Sequence, residues 1–367
     1  MKKLVSLLLV AVFAIGCLAG CGGQAAGYEI ALITDKGNID DKSFNQGAWE
    51  GVVAYAEKNK ITHQYYKPEE ASDEGYLKSI QLAVDGGAKV IVCPGYLFEV
   101  AVYNAQTQFP DVKFILLDGE PHTPDYEYKT EKNVACVMYA EQEAGFLAGY
   151  AAVKEGMTTL GFEGGMAVPA VVAFGYGYLQ GIEAAATEMG LADGSVKVFY
   201  HYTGDFAETD ANKQTAKGMI QSGAQIIFGC GGSVGKSVMA AAAEGQIKTI
   251  GVDVNQKADS DTVITSAMKG LGASVQAVLA SIYDGTFEST YAGKTTYFTA
   301  ANNGVGLPDD FERFTKFTKE EYEAIFAKLA DGTVKPIRSF DIADAAAVTA
   351  EQLQTELGLK KVTVEKR

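Results

Sequence analysis

The chain has 367 residues, 47% of them hydrophobic, and a formal net charge of -15. At roughly 150 residues per domain this length predicts two domains, and such acidity excludes nucleic acid as a partner, because phosphate contacts need clustered Lys and Arg. The 5 cysteines form no C-x-x-C pair and no Cys–His spacing, so a metal site is not expected.

Taken in chain order, the N-terminus reads first as an address. Lys2 and Lys3 precede LVSLLLVAVFAIG, an apolar run too short for a comfortable membrane span. It ends in Leu18-Ala19-Gly20-Cys21, which resembles the lipobox of bacterial lipoproteins. The resemblance implies a signal peptide at 1–20, cleavage before Cys21, a diacylglyceryl group on its thiol, and a short linker at 21–27. The protein would then be held by lipid at the extracytoplasmic face of the cell membrane. Cys93, Cys136 and Cys230 sit in apolar runs and read as buried structural thiols.

Beyond the linker, short apolar runs recur: YEIALITD, KVIVCPG, VKFILLDG, NVACVMY, TLGFEGG, VKVFYHY, AQIIFGCGG, KTIGVDV and TVITSAM. Most are continuous rather than alternating, as in strands covered on both faces. Between them lie helical patterns such as SFNQGAWEGVVAYAEKN, EGYLKSIQLAVDGG and ETDANKQTAKGMIQSG. Strand and helix alternate every 25–35 residues or so, which predicts an α/β fold of mostly parallel sheets. One set of strands runs from about Tyr28 to Ala135 and a second from about Thr159 to Val254, with no Pro/Ser-rich linker between. The tail after Lys335 predicts a small helix in TAEQLQTELG, with no chemistry of its own.

Ligands of parallel sheets bind beyond the C-terminal strand ends. Asp35, Asp118 and Asp253 each follow an apolar run. Each reads as a turn or helix cap, or as a carboxylate accepting ligand hydroxyls. Phe44 and Phe206 lie next to strand-end loops, either as local core anchors or as a pair that stacks on a flat base. Lys269 closes VITSAMK and is either a solvated charge or a donor into a cleft. Asp40-Asp41 lacks the spacing of a calcium loop. His63, His122 and His201 are scattered, and no nucleophile–base–orienter set appears.

GCGGSVGKS (Gly229–Ser237) approaches a phosphate-binding loop but places Cys230 where its first glycine belongs. It reads better as a strand end that turns on Gly231 and Gly232, with Ser233 capping a helix and Lys236 facing solvent.

TDKGNIDDKSFNQGAWEG is similar to the signature of the basic membrane protein family, the PnrA-like lipoproteins. CPGYLFE, FILLDG, EQEAGFLAGYAA, GFEGGMAVPAV, FGYGYLQGIEAA, TGDF, FGCGG, GVDVNQ and TSAMK extend the resemblance through most of the chain. It implies a periplasmic-binding-protein-like type I fold: two doubly wound parallel-sheet lobes joined by a three-crossover hinge, with lobe one at 28–137 plus 263–293, lobe two at 138–262 plus 294–335, and a tail at 336–367. It implies a monomeric substrate-binding protein of an ABC transporter, with permease subunits as partners, a purine nucleoside (guanosine, adenosine or inosine) as ligand, and neither enzymatic activity nor cofactor. Phe44 and Phe206 would stack on the base. Asp35 and Asn45 would bond its polar edge. Asp253 and Lys269 would hold the ribose hydroxyls, with Asp118, Gly231 and Gly232 beside them. Asn255 and Ala173 depart from the expected pattern, where an acidic and a basic residue respectively are more usual. The same scaffold holding a pentose or a signalling molecule is the alternative, and a nucleoside hydrolase or NTPase a third.

Overall fold

The computed structural model describes residues 27–367; Cys21 and the signal segment lie outside them. The chain begins with β1 (Ile30–Ile33), α1 (Phe44–Asn59), β2 (His63–Tyr66), α2 (Asp73–Asp85), β3 (Val90–Pro94), α3 (Glu99–Gln108), β4 (Lys113–Leu117) and β5 (Val134–Tyr139). It continues with α4 (Glu141–Lys154), β6 (Thr159–Gly164), α5 (Pro169–Glu188), β7 (Val196–Tyr202), α6 (Asp210–Gln221), β8 (Ile226–Cys230), α7 (Val234–Gly245), β9 (Lys248–Asp253) and β10 (Val263–Lys269). Then come α8 (Leu271–Asp284), α9 (Phe287–Thr290), β11 (Lys294–Phe298), β12 (Val305–Gly306), α10 (Lys319–Ala330), α11 (Ala350–Glu356) and β13 (Val362–Lys366).

Two sheets result. The first has the order β11-β5-β4-β3-β1-β2 and the second β12-β10-β9-β8-β6-β7-β13, parallel throughout except where β12 meets β10. The runs β2-β1-β3-β4-β5 and β7-β6-β8-β9-β10 repeat one winding, a doubly wound order whose direction reverses between the first and third strands of each set. Central strands such as IALI, VIVCP and IIFGC are buried along their whole length, which is why they carry unbroken apolar runs. The expected thiols, Cys93, Cys136 and Cys230, are free and buried.

The chain passes between the lobes around Ala140, Gly270 and Thr299. These crossings are tied together: Ala140 N–H donates to Phe298 O (2.9 Å), Gly270 N–H to Gly304 O (2.8 Å), and Ala300 N–H to Glu143 (2.7 Å). Two boundaries differ from the sequence expectation. Residues 263–269 belong to the second sheet, because β10 pairs with β9. Residues 294–298 belong to the first, because β11 pairs with β5. β11 (KTTYF) is a half-exposed edge strand, so its sequence carries no apolar run to say which sheet it joins. The tail is also more than a helix: β13 pairs in parallel with β7 and completes the second sheet.

Helices α4 and α5 meet backbone to backbone. A Cβ at Gly181 would stand 1.9 Å from Phe146 O, and one at Gly145 2.2 Å from Phe174 O. Glycine is therefore required at these positions, which explains the GFLAG and GYGYLQG spacings and fixes α4 directly beneath the first crossing.

Candidate functional site

The ends of β1, β3 and β4 in one lobe face the ends of β6, β8, β9 and β10 in the other. Between them lies an empty space of about 640 Å³, counting its part open to solvent. It sits at the reversal point of both sheets, where doubly wound folds place ligands. All nine residues singled out in the sequence line it: Asp35, Phe44, Asn45, Asp118, Phe206, Gly231, Gly232, Asp253 and Lys269. Tyr96, Val171 and Phe174 also line it. None of the three was singled out in the sequence: Tyr96 follows the end of β3, and Val171 and Phe174 lie on an apolar helix that gave no separate signal.

The first wall is organised by Asp41 and Asn45. Asp41 accepts from the N–H groups of Ser43 (2.8 Å), Asn45 (3.0 Å) and Gln46 (3.1 Å), closing the start of α1. The Asn45 amide donates to Asp35 Oδ1 (2.8 Å) and Asp41 Oδ2 (2.9 Å) and accepts from Asp35 N–H (3.0 Å). Both of its donors are thus used inside the protein, so Asn45 orients Asp35 rather than offering a free N–H to the cavity. Asp35 Oδ1 also accepts from Gly37 N–H (2.7 Å), while its Oδ2 accepts no hydrogen bond among the described residues. Burial pushes the Asp35 carboxyl up to about 6, against the bonds from Asn45 and Gly37.

Asp118 and Asp253 both hold left-handed backbone, with φ of 56° and 66°, a conformation that Asp tolerates better than most residues. It turns each carboxylate off its strand end toward the cavity. Asp118 Oδ2 accepts from Lys269, while its Oδ1 is buried without a partner among the described residues. Burial pushes Asp118 up to about 7, although Lys269 pulls the other way. Asp253 accepts from Ser43 Oγ across the lobes, and burial raises its carboxyl too.

Lys269 is the centre of this floor. Its side chain is 2% exposed, and its ammonium lies near Asp118, 3.3 Å from Glu141 and 3.8 Å from Asp253. The rings of Phe44, Tyr139 and Phe174 surround it at 4.6, 5.3 and 5.4 Å. Burial disfavours its charge, but the three carboxylates outweigh that and raise its pKa. Glu141, fully buried, was not singled out in the sequence, since EQEAG reads only as a helix start.

On the opposite wall, Phe206 packs over the backbone of Gly165, Gly231 and Gly232; a Cβ on Gly231 would meet its ring at 3.2 Å. The GCGGSVGKS stretch turns at Gly231 and Gly232, with φ of 127° and 51°. Two expectations for it are corrected. Ser233 makes no side-chain cap; its N–H donates to Phe206 O (3.0 Å) and fixes the ring's loop. Lys236 does not simply face solvent; its ammonium reaches across the cleft to Asp40 O (3.1 Å). Asn255 lies off the cavity and accepts from Lys257 N–H (3.1 Å), so its departure from the expected pattern touches a turn, not the cavity.

Residues 29–335 match the family model described as "Bmp: ABC transporter substrate-binding protein PnrA-like". The chain belongs to this family. Among its relatives, the "ABC transporter nucleoside-binding protein BmpA" of Lactococcus lactis is 27% identical over 83% of this chain and 91% of its own. "Basic membrane protein A" of Borreliella burgdorferi is 32% identical over 88% and 92%. A solute-binding protein of an ABC transporter system from Aeropyrum pernix has the same fold, with a TM-score of 0.74 at 23% identity over 89% of this chain and 97% of that one. As a member of the Bmp family the protein is a substrate-binding component of an ABC transporter, not an enzyme. The family implies a small-molecule ligand and permease subunits as partners. No helix among the described residues is long and apolar enough to cross a membrane.

Proposed function

We propose that the protein binds a purine nucleoside in the interlobe cavity, tethered to the membrane through lipid on Cys21, and delivers it to the permease. The observation that carries this reading is the pairing of two kinds of surface in one cavity. Phe44 and Phe206 approach from opposite lobes, and the cavity between them holds carboxylate oxygens without partners among the described residues, Asp35 Oδ2 and the buried Asp118 Oδ1. Two phenyl rings suit the faces of a flat base. Carboxylate oxygens suit N–H and hydroxyl donors. A free sugar would satisfy the oxygens but offers no π-face, and a nucleotide would bring phosphate into a cavity already rich in carboxylates. The relative from Lactococcus is named for nucleoside binding and that from Borreliella as a membrane protein, which supports the same reading.

In this mechanism the base enters between the rings, the ribose meets Asp118, Asp253 and Lys269, and the lobes close about the three crossings. Mass spectrometry of protein extracted from its native membrane tests both parts at once. The expected result is a purine nucleoside released on denaturation and a diacylglyceryl mass on Cys21. A pentose or another small molecule in its place, or an unmodified Cys21 on the membrane-bound protein, overturns the corresponding part.

A further inference from the structure

The floor of the cavity holds one lysine against three buried carboxylates, Asp118, Glu141 and Asp253. A second cation reaches this group from outside both sheets. Arg338 lies in the extended segment between α10 and α11, beyond the stretch matched by the family. Its Nη1 donates to Tyr139 O (2.6 Å), at the first crossing, and to Glu141 Oε2; Gln142 Oε1 lies 3.4 Å away. The other oxygen of Glu141 is the one that faces Lys269.

The segment is anchored on either side. The Gln180 side chain bonds both the N–H (2.8 Å) and the carbonyl (2.9 Å) of Ile337, and Phe340 stacks on Tyr176 with centroids 4.9 Å apart and planes within 6°. Four consecutive residues thus deliver one guanidinium to the hinge. Glu141 is a fully buried carboxylate, and such a charge is stable only when paired. With one oxygen held by Arg338, it shares Lys269 rather than claiming it, and Lys269 keeps its bond to Asp118 across the lobes.

We propose that Arg338 is a positioning residue of the binding cavity, neutralising Glu141 so that Lys269 stays directed at Asp118 and the ligand. The inference rests on the reading of this cavity as the ligand site. The charged and titratable groups facing this centre are Asp118, Asp253, Glu141, Lys269, Tyr139, Tyr297 and the Cys230 thiol, with Asp41 and Asp35 behind Asp253.

The test compares the full mature chain with its Arg338→Met, Arg338→Met/Glu141→Gln and Arg338→Lys variants. One arm needs no ligand: thermal stability between pH 5 and 9. Removing the guanidinium leaves a surplus buried carboxylate, whose cost appears as pH rises above the ordinary carboxylate range and is relieved at low pH, where the cluster takes up a proton. The loss in Arg338→Met therefore grows with pH, and Glu141→Gln removes most of it. A loss that is constant with pH and untouched by Glu141→Gln assigns the segment a packing role only and overturns the proposal. The second arm is calorimetry with inosine: Arg338→Met weakens binding ~10-fold, in the range of couplings carried through one intermediary, while the double variant and Arg338→Lys recover most of it. Full affinity in Arg338→Met overturns the positioning role. If the unmodified protein binds no nucleoside, the functional reading fails, and the ligand-free arm still decides whether Arg338 neutralises Glu141.

Discussion

Phe206 has a single task in this account. It packs on glycines that leave its ring facing the cavity, and base–aromatic stacking contributes about 1–3 kcal/mol. Phe206→Ala should therefore weaken inosine binding about 5- to 150-fold by calorimetry while leaving the fold intact; unchanged affinity rules out stacking. Asp35 gives a pH signature. Its carboxyl, pushed up to about 6 by burial, accepts hydrogen bonds fully only when ionised. Protonation of Asp35 should lower affinity by up to ~10-fold per unit below about pH 6, on top of the fall that begins near 7 as Asp118 takes up its proton. Asp35→Asn should remove the step near 6 and leave the one near 7, and a wild-type profile flat from pH 8 to 5 contradicts the role. At this scale the sequence was informative about location: all nine residues chosen from strand ends and family resemblance line one cavity. It was less informative about work done. Asn45 serves Asp35 and Asp41, because an amide already bonded to two carboxylates is committed to them before any ligand arrives.

The loop between β1 and α1 carries several contacts from one lobe to the other. Within four residues it gives Asp40 O to Lys236, Lys42 O to Gln256 (2.7 Å) and Ser43 Oγ to Asp253. These contacts form only when the lobes are together, so they act on release. Lys236→Met removes an exposed hydrogen bond of ~1 kcal/mol and should speed nucleoside dissociation about fivefold in stopped-flow fluorescence, with association little changed; an unaltered off-rate shows that the contact is incidental. The strands buried on both faces were legible from their apolar runs. β2, β11 and β13 were not, because edge strands pair on one side only and HQYY, KTTYF and VTVEK stay half-exposed. The lobe boundary at β11 failed for the same reason; that at β10 failed although its run is buried, because an apolar run does not say which sheet it joins.

For the molecule as a whole, the doubled winding 2-1-3-4-5 places two reversal points opposite each other, and the three crossings keep them there. A strand-to-helix rhythm repeated twice without a flexible linker was enough to foresee two lobes and a cleft. The route of the tail was not foreseeable: nothing local in PIRSF says that its arginine ends beside Glu141, since that contact depends on a strap of chain crossing α5. The central claim is that the cleft selects the base together with the sugar. Calorimetric titration of the mature protein with inosine and, in parallel, with ribose tests it most directly. The account predicts one inosine per chain, with ribose bound at least ~100-fold more weakly, because stacking is lost. Ribose binding as tightly as inosine, or no binding of any purine nucleoside, contradicts it.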